Sequence, residues 1–422
     1  MRVLLLGINY APEMISTGLC NTKLAEGLAD RGHQVTVVTA QPYYPQWRTW
    51  PGYRGLKWKR ATENGVDVVR CPMYVPSTPT GARRIVHYVS FALSSFVPLI
   101  HAALKMKPDY VVLVAPSIIA SPAAWLAARL SGARAWLHVQ DFEVGAAFAT
   151  GLLDEKAFGA RLAQRFERAM VSLFDIASSI SPEMCRKLRD LGVPAARVHE
   201  LRNWADMSRI SPLRSPSPLR TEWAITAKHV ALYSGNIGNK QGIEVILDAA
   251  SLMRGRDDLV FLICGEGSYL EELKTRAVDL PNILFKPLQP VERLNDLLGL
   301  ATVHLLPQKA DAADLVLPSK LTNMLASGRP VVVTAAPGTG LAREVDGCGL
   351  VVPPEDGPAL ATAIEHLLDD PEFHGRSGTT ARQYAEQRWS REPILDKLND
   401  WLAQAVALPA VSPSFPNRSG RQ

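Results

Sequence analysis

Short aliphatic runs alternate with helical segments along most of this chain, and that alternation constrains the fold more than any other feature of the sequence. Val3–Ile8 and Val35–Thr39 are typical of buried strands, and an amphipathic segment, Cys20–Arg31, lies between them. Two strands joined through a helix form a parallel, right-handed βαβ unit. The alternation restarts at His229–Tyr233 and continues to Leu350–Pro354. The pattern predicts an α/β protein with parallel sheets.

The chain length and one Ser/Pro-rich stretch indicate two domains. A chain of 422 residues is too long for one hydrophobic core. Asn203–Pro218 is rich in Ser and Pro and has no apolar period, as linkers do. We expect the two halves to face each other across a cleft, the usual place for a ligand. The expected segments are a first domain 1–203, a linker 204–222, a second domain 223–390, a C-terminal helix 391–408 packing back towards the first domain, and a disordered tail 409–422.

The stretch Asp314–Val333 predicts a loop, a helix and a strand in succession. Ser319 occupies the N-cap position of a helix Lys320–Ala326, Gly328 marks its end, and a β-branched run follows. A helix N-terminus that carries a hydroxyl and an ammonium suits an anion, above all a phosphate. The alternative is an ordinary capped helix of an α/β domain.

Glycine-rich loops follow several predicted strands, at the edge where open α/β sheets bind ligands. Ser234–Gly242 contains Lys240 and predicts a second phosphate site, although its spacing is not that of a P-loop. Gly265-Glu266-Gly267 follows the next strand, and Gly18 follows the first strand of the chain. A GxGxxG motif is absent, so the sequence does not support a nicotinamide cofactor.

His138 and Asp141 lie at the carboxyl end of a predicted strand, Ala133–Val139. A histidine beside an acid at such a position is a candidate catalytic pair. A hydrogen-bonded core histidine would give the same pattern, and both interpretations stay open.

Charge is unevenly distributed along the chain. The first 205 residues carry 24 Lys and Arg against 15 Asp and Glu, and the remainder carries 22 against 26. A basic first half suggests an acidic partner: anionic lipid, nucleic acid or a phosphorylated carrier. Nucleic acid is the weakest of these because no zinc-finger, RNP or basic-helix pattern is evident. The five cysteines are odd in number and form no CxxC pair, which argues against a disulfide framework and a zinc site and fits a reducing cytosol.

Two further segments suggest a membrane surface. Ile85–Leu104 is long and mostly apolar, with Arg83 and Lys105 beside it, and is open to three interpretations: a buried crossover helix, an interfacial helix or a membrane span. Gln41–Arg60 interleaves aromatic and cationic residues with Pro and Gly. Such a loop can lie on lipid headgroups or bind a sugar, or it can simply be an ordered surface loop.

Several motifs together resemble those of one enzyme family. They occur in the order NYAPE with Gly18, GLADRGHQVTVVT, YSGN followed by KQG, FLICGEG, PNILF, VHLLP, PSKLTNMLASGRPVVV and GCGLVVPPEDGPALATAIEHLLDDPE. Over about residues 1–405 the chain resembles the retaining glycosyltransferases of family 4, which have the GT-B fold. NYAPE, VTAQPYYPQW, RCPMYVPSTPTGARRIVHYVSFALSS and HVQDFE are most similar to the WcaI type of colanic-acid (exopolysaccharide) transferase, a group described as fucosyltransferases.

The resemblance implies two Rossmann-like domains, with a nucleotide-sugar donor held by the second and an acceptor held by the first. It implies no cofactor and, since no DxD motif is evident, no metal. Lys240 and Lys320 would then stabilise the departing diphosphate. His138 and Asp141 would be acceptor-side or sugar-facing groups. The donor-binding residues that the resemblance implies are Gly18, Gly235, Asn236, Gly238, Gln241, Gly265, Glu266, Asp314, Ser319 and Asn323.

The sequence departs from the family pattern at the donor site. Asn236 stands where an Arg is usual, and Gln241 stands where a Lys is usual, with Lys240 one place earlier. The E-x7-E pair is absent: Asn323 occupies the second position, and Asp311 and Asp314 are the candidates for the first. These departures leave open which groups hold the ribose and the sugar hydroxyls.

The resemblance favours GDP-fucose as donor, a lipid-linked oligosaccharide as acceptor, and a cytoplasmic protein held peripherally at the anionic inner face of the cell membrane. The first alternative is a transferase of UDP-linked N-acetylated amino sugars in lipopolysaccharide O-antigen or capsule synthesis. The others are a GT-B epimerase and a non-catalytic sugar-binding protein.

Overall fold

The computed structural model describes residues 1–13, 16–143, 158–205, 207–238, 241–310, 318 and 320–406. The chain divides into two compact units, Met1–Leu201 with Leu395–Gln422, and Arg202–Ile394. The tail predicted to be disordered, 409–422, lies outside the described residues.

The first unit is built on an eight-stranded sheet with the order β3-β4-β2-β1-β5-β6-β7-β8. Every neighbouring pair except β3–β4 is parallel. Its strands are β1 (Arg2–Gly7), β2 (Gln34–Ala40), β3 (Lys59–Glu63), β4 (Val66–Cys71), β5 (Tyr110–Ala115), β6 (Arg134–Val139), β7 (Ile176–Ser179) and β8 (Val198–Glu200).

The edge strand β3 was not predicted from the sequence. It pairs antiparallel with β4 through a two-residue turn at Asn64 and Gly65, which have φ values of 48° and 79°. Asn-Gly is the strongest short hairpin signal, so the information was present in the sequence. The strand itself, KRATE, is mostly exposed and charged, and therefore lacks the apolar pattern used to find strands.

Helices cover the first sheet. Leu4 and Leu6 of β1 share a core cluster with Phe91 and Leu99, which lie on the long helix α2. By length and composition alone, α2 could also cross a membrane. The helices of this unit are α1 (Ser16–Asp30), α2 (Gly81–Met106), α3 (Ser121–Ser131), α4 (Phe158–Leu173) and α5 (Pro182–Asp190).

The second unit contains a six-stranded, all-parallel sheet with the order β11-β10-β9-β12-β13-β14. Its strands are β9 (His229–Ser234), β10 (Leu259–Cys264), β11 (Ile283–Lys286), β12 (Val303–Leu306), β13 (Val331–Thr334) and β14 (Gly349–Val352). Its helices are α6 (Pro218–Glu222), α7 (Glu244–Leu252), α8 (Leu270–Arg276), α9 (Leu294–Leu300), α10 (Lys320–Ala326), α11 (Gly340–Val345), α12 (Gly357–Asp369) and α13 (Pro371–Trp389). The prediction of two α/β halves with parallel sheets is confirmed.

The Ser/Pro-rich segment is packed along the second unit. Ala205 forms a β-bridge with Ser390, and Ile210 and Leu219 are buried. These contacts hold the described part of the segment against the second unit.

The last helix, α14 (Arg391–Val406), contributes its residues from Leu395 onward to the first unit. A side chain added at Gly27 of α1 would lie 2.7 Å from Leu395 Cδ1, so the two helices touch closely. The hydroxyl of Tyr110 on β5 donates to the carbonyl of Leu402 at 2.6 Å. The last helix therefore packs against the first unit through Leu395 and Leu402.

Candidate functional site

Two glycine-rich loops meet at the carboxyl edge of the second sheet. A side chain added at Gly265 would lie 1.9 Å from the carbonyl oxygen of Gly235, and one at Gly267 would lie 2.0 Å from that of Ile237. The Ile237 N–H donates to the carbonyl of Glu266 at 2.8 Å. Because only glycine permits such close backbone approach, the loops after β9 and β10 form one continuous surface.

Lys320, at the start of α10, lies against this surface. Its Nζ donates to the Tyr233 hydroxyl at 3.0 Å and sits 4.1 Å from the centre of the Tyr233 ring. A side chain added at Gly235, where φ is +138°, would lie 3.5 Å from Nζ. Burial lowers the pKa of Lys320 to about 7. Among the described residues, no carboxylate pairs with it. A partly buried ammonium without a counter-charge favours an anionic ligand.

The other donor-site candidates have different roles in the second unit. The Gln241 side-chain carbonyl accepts from the Gly238 N–H at 3.1 Å, so it closes the loop upon itself. Asn236 and Glu266 are exposed, and Asn323 is partly buried on α10. Asn236 and Glu266 are therefore the side chains of this group that are open to a ligand.

Four predicted site residues, Lys240, Asp311, Asp314 and Ser319, lie outside the described residues. The helix that follows Ser319 is short, with 7 residues. Of the groups predicted to bind an anion at the start of this helix, the described residues include the Lys320 side chain.

In the first unit, His138 lies inside the core with 1% of its surface exposed. Its Nδ1 donates to Ser178 Oγ at 2.8 Å, and its Nε2 accepts from the Gln140 amide at 2.8 Å. Burial lowers the pKa of His138 to about 4, so the ring is neutral at pH 7. The expected catalytic pair with Asp141 is not formed, because both ring nitrogens are already occupied. The geometry is that of a hydrogen-bonded core histidine.

Gly18 lies in the first turn of α1, against the loop after β1. A side chain there would lie 2.5 Å from the carbonyl oxygen of Glu13. The Glu13 carboxylate is buried and accepts from the backbone N–H groups of Tyr43 and Tyr44 at 2.5 and 2.7 Å, and from Asn9 at 2.9 Å. Burial raises the pKa of Glu13. Close packing against Glu13 therefore requires glycine at position 18. Glu13 joins the loop after β1 to the segment Gln41–Arg60.

Asp141 belongs to a group of acids at the carboxyl edge of the first sheet. Glu143, two residues later, accepts from the backbone N–H of Ile118 at 2.9 Å. Burial is the main cause that raises the pKa of Glu143 to about 7, and the charge of Asp141 makes a smaller contribution in the same direction. Sequence analysis named Asp141 but missed Glu143 and Glu13. Glu143 could have been found, because it follows the same strand.

In the described part of the chain, no group of three or more His, Cys, Asp or Glu residues is arranged to hold a metal ion.

The carboxyl edges of the two sheets offer different groups to a ligand. The second provides an ammonium and closely packed glycine loops, and the first provides carboxylates and aromatic rings.

Comparison with known proteins identifies families that match both halves of the chain. The family described as "Glycosyl transferase 4-like domain" matches residues 18–204, and "Glycosyl transferases group 1" matches residues 228–370. The Escherichia coli (strain K12) protein named "Putative colanic acid biosynthesis glycosyl transferase WcaI" is 40% identical over 411 residues, covering 95% of this chain and 99% of its own.

Solved structures with the same fold include sucrose-phosphate synthase from Thermosynechococcus elongatus, with a TM-score of 0.74 and 18% identity over 96% of this chain and 99% of that one. Anabaena HepE in complex with UDP-glucose has a TM-score of 0.70 and 15% identity, over 96% and 100% of the two chains. At these identities the likeness concerns the fold alone. Together, the matched families and the full-length relative confirm the resemblance seen in the sequence: this chain belongs to the GT-B glycosyltransferases of the family 4 type.

Proposed function

We propose that this enzyme is a retaining transferase that moves fucose from GDP-fucose to a lipid-linked oligosaccharide during synthesis of a colanic-acid-like exopolysaccharide. The glycosyltransferase class itself is established by the family, and the relative named for colanic acid biosynthesis supports the pathway. The observation that carries the diphosphate-binding part of the proposal is Lys320, held over Gly235 without a carboxylate partner among the described residues.

The chemistry of the second edge suits the leaving group. When the bond to the sugar breaks, negative charge develops on a nucleoside diphosphate, and a fixed cation in a water-poor site stabilises it. Lys320 supplies that cation beside the loops that follow β9 and β10. Their glycines leave room for phosphate oxygens close to the backbone.

The acceptor would use the first edge. Carboxylates accept hydrogen bonds from sugar hydroxyls, and Asp141 and Glu143 lie at the end of β6. The acceptor hydroxyl would attack from the face that the nucleotide leaves, and the departing phosphate oxygen would take its proton. In this scheme the acids of the first unit orient the acceptor.

A transferase of UDP-linked N-acetylated amino sugars is the alternative. It is favoured by the N-acetyl-alpha-D-glucosaminyl L-malate synthase of Bacillus anthracis, which is 21% identical over 401 residues. A panel of GDP- and UDP-sugars separates the two proposals.

Lys320→Ala tests the donor site once the panel has identified a donor. We expect about a hundredfold loss of kcat, equivalent to about 3 kcal/mol of transition-state stabilisation. The matched control is Lys274→Ala, since Lys274 is an exposed lysine of the same unit paired with Glu271. A chelator should leave the natural enzyme active.

Three results would contradict the proposal. A folded Lys320→Ala variant with unchanged turnover would remove the diphosphate role, and reversible loss of activity with chelator would remove the metal-independent scheme. Binding of nucleotide sugars without transfer or hydrolysis would favour the non-catalytic protein instead.

We also propose that α2 lies on an anionic membrane surface. One face of the helix packs on the sheet, while Ile85, Leu93 and Val97 on the other are 55%, 72% and 61% exposed. Trp58 extends this apolar face, because its indole N–H donates to the carbonyl of Ser94 at 3.0 Å. Arg83 lies beside the start of this face, and Lys105 and Lys107 lie at its end. An apolar stripe with basic flanks is typical of an interfacial helix.

Vesicle sedimentation tests the membrane proposal. Leu93→Asp should reduce binding to vesicles containing phosphatidylglycerol about tenfold or more, since one buried leucine contributes about 2 kcal/mol. Leu252→Asp is the control, because Leu252 is 61% exposed on the second unit. Binding should weaken with added salt and be absent with phosphatidylcholine alone. Equal binding by both variants, or indifference to lipid charge, would contradict it.

A further inference from the structure

The hydroxyl of Tyr233 joins two parts of the carboxyl edge of the second sheet. It donates to the carbonyl of Asn236, within the loop after β9, at 2.5 Å, and it accepts from Lys320 Nζ at 3.0 Å. Tyr233 itself is fully buried on β9. One phenol therefore contacts both the glycine-rich loop and the ammonium that lies over it.

Lys320 depends on this phenol for its polar contacts. Within the described ranges, the Tyr233 hydroxyl is the one hydrogen-bond partner of Nζ, and the Tyr233 ring lies beneath it. Charged groups on neighbouring elements include Glu244 on α7, Lys309 after β12 and Glu266 after β10; Glu244 and Lys309 pair with each other at 2.9 Å. On α13, which packs against α10, Arg382 donates to the carbonyl of Ala326 at 2.7 Å, at the far end of α10 from Lys320. Lys240 and Asp314 lie outside the described residues.

We infer that Tyr233 is a positioning residue for the donor diphosphate: its hydroxyl fixes the Lys320 ammonium over Gly235 and ties that position to the conformation of the loop through Asn236. The inference rests on the proposed role of Lys320 in binding the diphosphate. It assigns to β9 a side chain that acts through the lysine and has no contact with the reacting atoms.

Removing the hydroxyl has a definite electrostatic consequence. In Tyr233→Phe the ring remains, so packing and the cation–π contact are kept, but the ammonium loses its hydrogen-bond acceptor. A buried ammonium without an acceptor is harder to protonate, so the pKa of Lys320 falls further. Anion binding needs the charged form, and it should therefore be lost at lower pH in the variant than in the natural sequence.

The experiment measures binding of inorganic pyrophosphate, GDP and UDP by calorimetry between pH 6 and 9. We expect the pH at which affinity declines to move down by about one unit in Tyr233→Phe, giving about tenfold weaker binding at pH 8. Each comparison is made at the same pH, so titration of the pyrophosphate cancels. Tyr384→Phe is the matched control, because Tyr384 also lies under a cation, 4.0 Å from Arg388.

A second variant keeps the inference falsifiable if Tyr233→Phe proves unstable. Lys320→Arg stays charged throughout this pH range, so its affinity should not decline as that of the natural sequence does. Coincident pH profiles for Tyr233→Phe and the natural sequence would overturn the inference, as would a decline that persists in Lys320→Arg. Failure of the natural sequence to bind pyrophosphate or either nucleotide at any pH would instead overturn the proposed function.

Discussion

At the carboxyl edge of the first sheet, Glu13 and Glu143 are carboxylates held by backbone N–H groups. At the same edge of the second sheet, Lys320 lies over Gly235, and glycines bring two loops into backbone contact. Both edges arise from the same strand–helix alternation. The first places the carboxylates of Glu13 and Glu143 at its end, and the second places the ammonium of Lys320 there. The fold supplies two equivalent edges whose side chains differ in charge; under the proposal above, the first would take a hydroxyl-rich acceptor and the second a diphosphate.

The largest effect on this comparison is expected from Gly265→Ala. The added methyl group would lie 1.9 Å from the carbonyl oxygen of Gly235, which is backbone and cannot move aside. We expect a loss of about 3 kcal/mol of stability and at least a hundredfold weaker nucleotide binding, because the loops must separate. Urea unfolding and nucleotide titration measure both.

Gly255→Ala is the control, since an added side chain there meets no atom within 4 Å. If Gly265→Ala behaves like Gly255→Ala, close loop contact is not what defines the second edge.

A smaller effect, confined to the first unit, is expected from Ser178→Ala. The change leaves two buried donors, Trp136 Nε1 and His138 Nδ1, without their shared acceptor. Stability should fall by about 2 kcal/mol in urea unfolding, while nucleotide affinity stays the same. The exposed Ser172→Ala serves as the control. Weaker nucleotide binding by Ser178→Ala would mean that the His138 network acts on the donor after all.

The smallest effect is a pH dependence carried by Glu143. Burial raises the pKa of Glu143 in the folded protein to about 7, above its ordinary 4.5. The folded state therefore binds the proton more tightly, and the stability that it contributes is present below pH 4.5 and lost as pH rises towards 7. Glu143→Gln should remove a decline of about 1 kcal/mol between pH 6.5 and pH 8, measured by urea unfolding.

The exposed Glu272→Gln should leave that decline unchanged. If Glu143→Gln also leaves it unchanged, the first edge does not hold its acid in a protonated state near neutral pH.

The interior of each sheet was predictable because its strands and helices are long and strongly patterned. β5 is wholly buried, and its aliphatic run identifies it without tertiary information. The hairpin of β3 and β4 was not predicted, because the exposed, charged strand β3 has no apolar period. The dipeptide Asn64-Gly65 is nevertheless typical of a two-residue hairpin turn. The family was recognisable because its motifs occur in the usual order along the chain, although single site residues differ from the family pattern.

The sequence by itself determined the two parallel α/β units, the glycine-rich loops and the family, since these depend on patterns within a few neighbouring residues. Only the tertiary structure decided what the site residues do. His138 meets Ser178 across 40 positions, and Lys320 meets Tyr233 across 87. Such partners are chosen by strand order and packing, and they set whether a titratable group is satisfied in the core or kept for a ligand.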